Sequence, residues 1–270
     1  MCVYELSFVS QAISKMQVLI ALVLAFTAIA AVPQSQQRII GGSGTTISNY
    51  PEVVALLHSW GTTGHRHACG GIILNNRSIL TAARCVYQTS PQEWRTRAGS
   101  TNAHSGGVTY LTSFIIQHHF YNIYNRDYDI SIMRVSSNIN FGTTIQQASI
   151  AGPNYVLPDN QAVWVVGWGY TNAQGSPSEQ LRHVQIWTVN QNLCSARYTE
   201  LGNIITSNML CASWLDVDNY GKCYGDFGGP LYHNRVVVGV SSWSQGCAQA
   251  RYPGVYTRVS NFIPFIQSNA

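Results

Sequence analysis

Short strand-like runs separated by turn residues are the feature that most constrains how this chain can fold. Runs rich in β-branched and aromatic residues, such as Val53–Leu57 and Ile130–Val135, recur between Gly, Asn, Ser and Pro. Short antiparallel strands of this kind are typical of β-sandwiches and closed barrels. The chain shows no alternation of strands with long helical segments, which a parallel sheet would require. The pattern therefore predicts an all-β protein and leaves its architecture open.

A helical pattern is confined to two places. One is a short segment near Asn192–Tyr198, and the other is the C-terminal segment Val259–Gln267. In the second segment, apolar residues recur at steps of three and four, as on one face of a helix. These apolar residues are Val259, Phe262, Ile263 and Ile266. We therefore predict a short C-terminal helix that packs on the sheet.

The N-terminal region carries an uncharged apolar run, Val18–Val32, that follows Lys15. The run is shorter than the roughly 20 residues that a bilayer span needs, and the small residues Ala28 and Ala30 suit signal cleavage. We predict a signal peptide over residues 1–31, with Met16 as a second candidate initiator. The alternative is a short membrane anchor. The favoured interpretation is a secreted, extracellular protein that keeps no membrane segment.

The cysteine count agrees with secretion. The chain has seven cysteines, and Cys2 lies in the predicted signal peptide. An even number then remains, which in a secreted chain indicates disulfide bonds. The residues alone leave many pairings open. A short polar stretch ends at Arg38, and the apolar pair that follows makes this a candidate processing site.

The composition excludes several classes of protein. Only 10% of the residues are charged and 46% are hydrophobic, with a formal net charge of +4. High hydrophobicity with little charge argues against disorder. The basic residues form no dense block, so we expect no nucleic-acid partner. We find no metal-ligand cluster and no cofactor motif, and we predict neither a metal nor a cofactor.

Seven motifs together carry a resemblance to a known family. They are RIIGG at 38–42, CGGIILNNRSILTAARC at 69–85, DYDISIMRV at 127–135, GWG at 167–169, YGDFGGPL at 224–231, SSWSQGC at 241–247 and PGVYTRVS at 253–260. They resemble the chymotrypsin/trypsin family of serine proteases. Two further stretches, SEQLRHVQIWTVNQ at 178–191 and NMLCASWLDV at 208–217, resemble the trypsin-like group of moth and butterfly midgut. The likeness spans 39–270 in order. It implies two antiparallel β-barrels, about 39–150 and about 151–270, with the active site between them.

The resemblance also assigns the cysteines and a maturation step. It implies the disulfides Cys69–Cys85, Cys194–Cys211 and Cys223–Cys247. It makes residues 32–38 an activation propeptide that is removed by cleavage after Arg38. The new amine of Ile39 would then pair with the carboxylate of Asp226. The midgut likeness suggests the gut lumen as the extracellular location.

Two of the three catalytic residues that the family uses are replaced in this chain. The catalytic base is the His of a Thr-Ala-Ala-His-Cys motif, and here Arg84 stands in its place. The nucleophile is the Ser of a Gly-Asp-Ser-Gly-Gly-Pro motif, and here Phe227 replaces it. A guanidinium has no acceptor and a phenyl ring has no nucleophile. Asp129 is retained, and the oxyanion-hole donors would be the backbone N–H groups of Gly225 and Phe227.

The specificity pocket that the resemblance implies is altered as well. Gly221 occupies the position of the trypsin carboxylate, and Lys222 follows it. The remaining pocket positions are Ser242, Trp243, Ser244 and Gly254. We expect Ser244 to narrow the entrance, and we do not expect specificity for Arg or Lys.

These replacements favour a secreted, catalytically inactive homologue that acts by binding. Its expected ligands are proteins or peptides, such as protease inhibitors or active proteases, and we expect a monomer. The alternative is an active digestive serine endopeptidase. We expect the Arg84 guanidinium to pair with Asp129, and the Phe227 ring to stack on Arg84 or Trp243. Asn76 lies in the one N-x-Ser/Thr sequence and is a glycosylation candidate.

Overall fold

The computed structural model describes residues 42–61, 64–170, 176–217 and 225–270. The predicted signal peptide, the propeptide and the candidate cleavage site at Arg38 and Ile39 lie outside these ranges, as do Gly221, Lys222 and Cys223. Within the described ranges, no helix has the length and apolar character needed to cross a bilayer.

The first barrel is formed by strands in which one face or both faces are buried. In Trp94–Ala98 every second residue is buried, which is the alternation of a strand with one face on a core. Six strands close in the order β2-β3-β4-β7-β6-β5, and all pairs are antiparallel. Their bounds are Val53–Ser59 (β2), His65–Ile73 (β3), Ser78–Thr81 (β4), Trp94–Ala98 (β5), Val108–Gln117 (β6) and Ser131–Val135 (β7).

The second barrel is built in the same way from the C-terminal half of the chain. Its strands are Ala162–Gly167 (β8), Arg182–Val189 (β9), Met209–Ser213 (β10), Pro230–His233 (β11), Val236–Trp243 (β12) and Gly254–Arg258 (β13). They run in the order β9-β10-β13-β12-β11-β8, and pairing of β8 with β9 closes the ring. A two-residue strand, Ser43–Gly44 (β1), pairs with the edge of β9.

Helical structure is sparse in the described residues. The α-helices are Ala83–Val86 (α1), Gln191–Thr199 (α2) and Ile263–Asn269 (α3), and short 3-10 turns are Ile47–Asn49, Pro91–Glu93 and Val259–Phe262. The side chain of Asn190 caps α2 by accepting hydrogen bonds from two backbone N–H groups of the first turn. All four apolar residues of the predicted C-terminal face are buried.

The all-β prediction is confirmed, with two antiparallel barrels and a short C-terminal helix. The strand run that we predicted at Val53–Leu57 is the larger part of β2. The strands β5, β10 and β11 were missed. Trp94–Ala98 contains two Arg residues, and it becomes a strand because β2 and β6 pair with it on both sides.

Two of the implied disulfides lie within the described residues. Cys69–Cys85 joins β3 to α1, and Cys194–Cys211 joins α2 to β10. Each such crosslink typically stabilises a fold by about 2–4 kcal/mol. Cys247 is disulfide-bonded as well, and its implied partner, Cys223, lies outside the described residues. The first two pairings are therefore confirmed.

A shared apolar core holds the barrels together. One buried cluster includes Val53 and Leu80 of the first barrel with Tyr232 and Val240 of the second. Further clusters fill the interior of each barrel. Since the two barrels pack through this core, residues at their interface are held in fixed positions. That interface is where the implied site residues meet.

Candidate functional site

Asp129 anchors the site at the boundary between the barrels. The residue is only 1% exposed. Its carboxylate accepts a hydrogen bond from the Ser242 hydroxyl at 2.5 Å and one from the backbone N–H of Arg84 at 2.7 Å. The Thr257 hydroxyl donates to the Asp129 carbonyl at 2.7 Å. Since Ser242 and Thr257 belong to the second barrel, this network also ties the two barrels together.

The Arg84 side chain points into the cleft instead of towards Asp129. Arg84 lies in α1, one residue before the disulfide partner Cys85. Its Nη1 atom donates to the Ser242 carbonyl at 2.8 Å, and its guanidinium lies over the Phe227 ring, 4.1 Å from the ring centroid. We expected the guanidinium to pair with Asp129. At the start of α1, the backbone N–H of Arg84 donates to that carboxylate instead. The side chain of Arg84 extends towards Ser242 and Phe227.

The predicted stacking of Phe227 on Arg84 is confirmed, and tight backbone packing explains the position of the ring. Gly225 and Gly228 have φ values of +89° and +79°, which favour glycine. A Cβ on Gly70 would come within 2.8 Å of the Gly229 backbone, so the segment lies directly on β3. The Gly70 N–H also donates to the Phe227 carbonyl at 2.8 Å. The half-buried ring therefore packs against the core of the first barrel.

The residue before Phe227 fills a cradle built by the GWG motif. Asp226 is 1% exposed, and its Oδ1 atom accepts a hydrogen bond from the backbone N–H of Gly169 at 2.9 Å. A Cβ on Gly167 or Gly169 would collide with this carboxylate. The two glycines therefore make room for a buried acid. The implied partner of Asp226, the amine of Ile39, lies outside the described residues.

The resemblance assigns Trp243 to the wall of the specificity pocket. It is buried at the end of β12, and the ring of Tyr198 meets it edge-on at 4.7 Å between centroids. The next residue, Ser244, donates its hydroxyl to the Gly246 carbonyl at 2.7 Å. Gly254 begins β13, where it pairs with β10. The pocket floor at Gly221 and Lys222 lies outside the described residues, so the narrowed entrance stays a prediction.

Sequence reasoning missed a second arginine in the cleft, Arg126. Its guanidinium lies 4.8 Å from the centroid of the Trp243 ring. Tyr121 lies nearby, and its ring meets that of Tyr87 at 5.5 Å. Burial raises the pKa of Tyr121, as does the negative charge of Asp129, whereas the positive charges of the two arginines lower it. The feature of the sequence that could have identified Arg126 is its position, three residues before Asp129.

The described contacts of the histidines lie away from Arg84 and Phe227. The contacts described for their rings include neither Arg84, Phe227 nor the Asp129 carboxylate. His118 stacks on His119 and packs against the C-terminal helix. His67 is buried beside Trp168, and burial lowers its pKa to about 4. Over the described residues, no group of three or more potential metal ligands comes together.

Comparison with known proteins identifies the family of this chain. The sequence model of the family described as Trypsin matches residues 39–266, which span both barrels. The chain belongs to the trypsin family. Its relatives within the trypsin family include Trypsin CFT-1 of Choristoneura fumiferana, which is 56% identical over 94% of this chain and 100% of the relative. Trypsin, alkaline B of Manduca sexta is 55% identical over 92% of this chain and 97% of the relative.

A third relative, Achelase-1 of Lonomia achelous, is 53% identical over 86% of this chain and 100% of the relative. The resemblance to moth proteins of the trypsin family is therefore confirmed. Within the double barrel of that family, Arg84, Phe227 and Asp129 converge at the interface of the barrels. The first two have no group that accepts a proton or attacks a carbonyl.

Proposed function

We propose that this trypsin-family chain is a secreted homologue without peptidase activity that acts by binding protein or peptide ligands. One observation carries the proposal. The guanidinium of Arg84 stacks on the ring of Phe227 at 4.1 Å. By resemblance, these are the positions of the catalytic base and of the nucleophile. The two side chains stabilise each other and occupy the place where the reaction would occur.

The chemistry of the two side chains explains why activity is not expected. A serine protease needs a base to remove the proton from its nucleophile, and arginine stays protonated in proteins. Loss of one triad member costs up to about 10⁶ in turnover, and what remains comes from oxyanion-hole donors and binding. By resemblance these donors are the backbone N–H groups of Gly225 and Phe227. We expect the Phe227 ring to obstruct access to them, so even this remainder should be small.

Retention of the binding frame supports a binding role. Asp129 keeps its hydrogen bonds to both barrels, Asp226 keeps its cradle, and Trp243 keeps its place as a wall. A cleft that keeps its shape but lacks its chemistry can hold a peptide without cutting it. The ligands that we propose are protease inhibitors and active proteases, bound by a monomer outside the cell. The signal peptide and a gut-lumen location belong to the same proposal.

A second candidate function is digestive endopeptidase activity. It is favoured by the 53–56% identity to five moth proteins named as trypsins or Achelase-1. This candidate needs a new base and a new nucleophile. The contacts described for the histidine rings do not include the Asp129 carboxylate, and the Ser242 hydroxyl donates its proton to that carboxylate at 2.5 Å.

Activity measurements separate the two candidates. The full chain, and the full chain cut after Arg38, would be incubated with a fluorescent casein and with an active-site titrant. We expect no turnover and no covalent labelling. The matched positive control is the double variant Arg84→His and Phe227→Ser, prepared in the same way, which should cleave casein. Cleavage or labelling by the unaltered protein would refute the proposal.

Binding needs its own measurement. A proteinaceous serine-protease inhibitor would be immobilised, and binding of the cut chain would be followed by surface plasmon resonance. We expect reversible binding, with the inhibitor recovered intact. Binding that persists unchanged when the cleft variant Trp243→Ala is used would place the contact outside the cleft and contradict the proposal.

A further inference from the structure

We propose that the cleft selects acidic peptide segments and holds a ligand carboxylate between Arg84 and Arg126. This inference rests on the proposed binding function and adds the chemical class of the ligand. It starts from two arginines that sequence motifs do not connect. Arg84 replaces the family base, and Arg126 lies in the loop before Asp129. Each guanidinium lies on an aromatic ring of the second barrel.

Arg84 retains donors that no described residue uses. Only its Nη1 atom makes a side-chain hydrogen bond, to the Ser242 carbonyl. The Nε and Nη2 atoms of Arg84 make no hydrogen bond to a described residue, and they are not among the described buried atoms without a partner. Both atoms are therefore accessible to a ligand. A guanidinium presents its N–H groups as a planar fork that matches a carboxylate. The stack on Phe227 holds the plane of this fork in position.

Arg126 is held by its backbone and its stacking contact. Among the described residues, its guanidinium takes part in no hydrogen bond and no ion pair, and it is half-buried over Trp243. Its φ is +58°, a conformation that a non-glycine residue adopts only when the surroundings impose it. The Arg126 N–H donates to the Asn122 carbonyl at 2.7 Å, which closes the loop in this conformation. The loop therefore presents an unpaired cation to the cleft.

The two guanidinium groups face the same stretch of β12. Arg84 contacts the carbonyl of Ser242, and Arg126 covers the ring of the following residue, Trp243. Both positive charges also act on the hydroxyl of Tyr121, whose pKa they lower against the effect of burial. These contacts place both cations around one short segment of the cleft wall.

Neither guanidinium forms an ion pair with a described acid. The buried Asp129 carboxylate accepts hydrogen bonds from the Ser242 hydroxyl and from the backbone N–H of Arg84. The Oδ1 atom of Asp127 accepts hydrogen bonds from Thr206 and Asn208. Among the described residues, both guanidinium groups therefore keep charged N–H donors that a ligand carboxylate can accept.

A peptide carboxylate fits these features better than a neutral group. Two guanidinium forks can donate charge-assisted hydrogen bonds to it, and the half-buried ring of Tyr121 can provide apolar contact for methylene groups of the peptide. The carboxylate has two sources, an Asp or Glu side chain and a peptide C-terminus. The experiment below has an arm for each.

Fluorescence anisotropy with the full chain would test the proposal. Three labelled peptides would be compared: an amidated acidic peptide, Gly-Ser-Glu-Asp-Glu-Ser-Gly, its amide counterpart with Gln and Asn, and that counterpart with a free C-terminus. We expect the acidic peptide to bind at least about tenfold more tightly than its amide counterpart. Tighter binding of the free C-terminus would assign the carboxylate to a chain end, and this outcome also supports the proposal.

Variants connect the preference to the two arginines. Arg84→Gln and Arg126→Gln should each weaken binding of the acidic peptide about tenfold, and Lys at either position should restore part of it. The matched control is Arg235→Gln, which removes one positive charge at the turn between β11 and β12. It should change binding less than about twofold. Arg126 lies in a loop, so its variant keeps the test valid if Arg84→Gln folds poorly.

Equal binding of all three peptides would overturn the acidic-ligand proposal, as would an unchanged preference for the carboxylate in the Arg126→Gln variant. Hydrolysis of the peptides would be monitored in the same samples. Hydrolysis by the unaltered protein would refute the proposed inactive function. Intact peptides without any acidic preference would refute only the ligand class. The two proposals therefore fail in distinguishable ways.

Discussion

The contact between Arg84 and Phe227 leads to a measurable coupling energy. The guanidinium lies 4.1 Å from the ring centroid, and both residues are half-buried. A cation over an aromatic ring contributes about 0.5 kcal/mol when exposed and about 2 kcal/mol when desolvated. For this partly buried pair we expect a coupling of about 1 kcal/mol in the free energy of unfolding. Arg84→Gln alone should cost about 2 kcal/mol, because it also weakens the hydrogen bond to the Ser242 carbonyl.

A double-mutant cycle isolates this coupling. Arg84→Gln removes the charge, and Phe227→Leu removes the aromatic ring but keeps an apolar side chain. The hydrogen bond to Ser242 is lost in both backgrounds, so its effect cancels in the cycle. Unfolding in urea would be followed by tryptophan fluorescence at pH 7 with the disulfides intact. Coincident transitions by circular dichroism would establish that the two-state treatment holds.

A matched cycle gives the baseline. The control cycle combines Phe227→Leu with Arg235→Gln. Arg235 is suitable because its described aromatic contacts are with Tyr50 and Tyr232. This control should be additive within about 0.5 kcal/mol. If the cycle of Arg84 and Phe227 is equally additive, the two side chains do not stabilise each other. The reasoning that makes them a mutually stabilising pair in the cleft would then be wrong.

The remaining predictions concern catalysis, pH and backbone packing. Neither Arg84→His nor Phe227→Ser alone should raise hydrolysis of casein above the background. The double variant should raise it by at least about 10³, because triad members act as a unit. A single variant as active as the double variant would contradict this expectation. Burial lowers the pKa of His67 to about 4 in the folded protein. As the pH falls below about 6.5, this histidine is therefore protonated in the unfolded chain before it is protonated in the folded one. The free energy of unfolding should decrease by about 2–3 kcal/mol by pH 4. Urea unfolding at several pH values should show a smaller loss for His67→Gln than for the unaltered protein, and identical pH profiles would refute the assignment. Gly228→Ala should cost more than 3 kcal/mol or prevent folding, because φ is +79° and the new Cβ would overlap atoms of the first barrel. Its control is Gly202→Ala, with φ of +71° and no atom within 4 Å, which should cost only about 1 kcal/mol by thermal unfolding; equal losses would show that strain rather than overlap dominates.

Much of the fold could be predicted from local patterns. The strand β2 contains a continuous apolar run, and the C-terminal segment has apolar residues at steps of three and four, so neighbouring residues reveal both elements. The strand β5 was missed although buried and half-buried residues alternate along it. It has only five residues, two of them Arg, and its pairing with β2 and β6 is visible only in the tertiary structure.

The candidate site was predictable in its residues and only partly in its geometry. The motif order identified Arg84, Phe227 and Asp129, and all three meet at the barrel interface. The expected ion pair between the Arg84 guanidinium and Asp129 was wrong, because the backbone N–H of Arg84 takes that place. Arg126 was missed, because its partner, Trp243, lies more than a hundred residues away in the sequence.

The sequence by itself determined that this is a trypsin-family double barrel with a guanidinium and a phenyl ring where the family has a base and a nucleophile. Side-chain identity and motif order suffice for that conclusion, because they do not depend on where the atoms lie. Only the tertiary structure decided that Arg84 turns to Phe227 and the Ser242 carbonyl, and that Arg126 covers Trp243. These contacts join residues of different barrels. Their geometry is set by the packing of one barrel on the other, which no local pattern encodes.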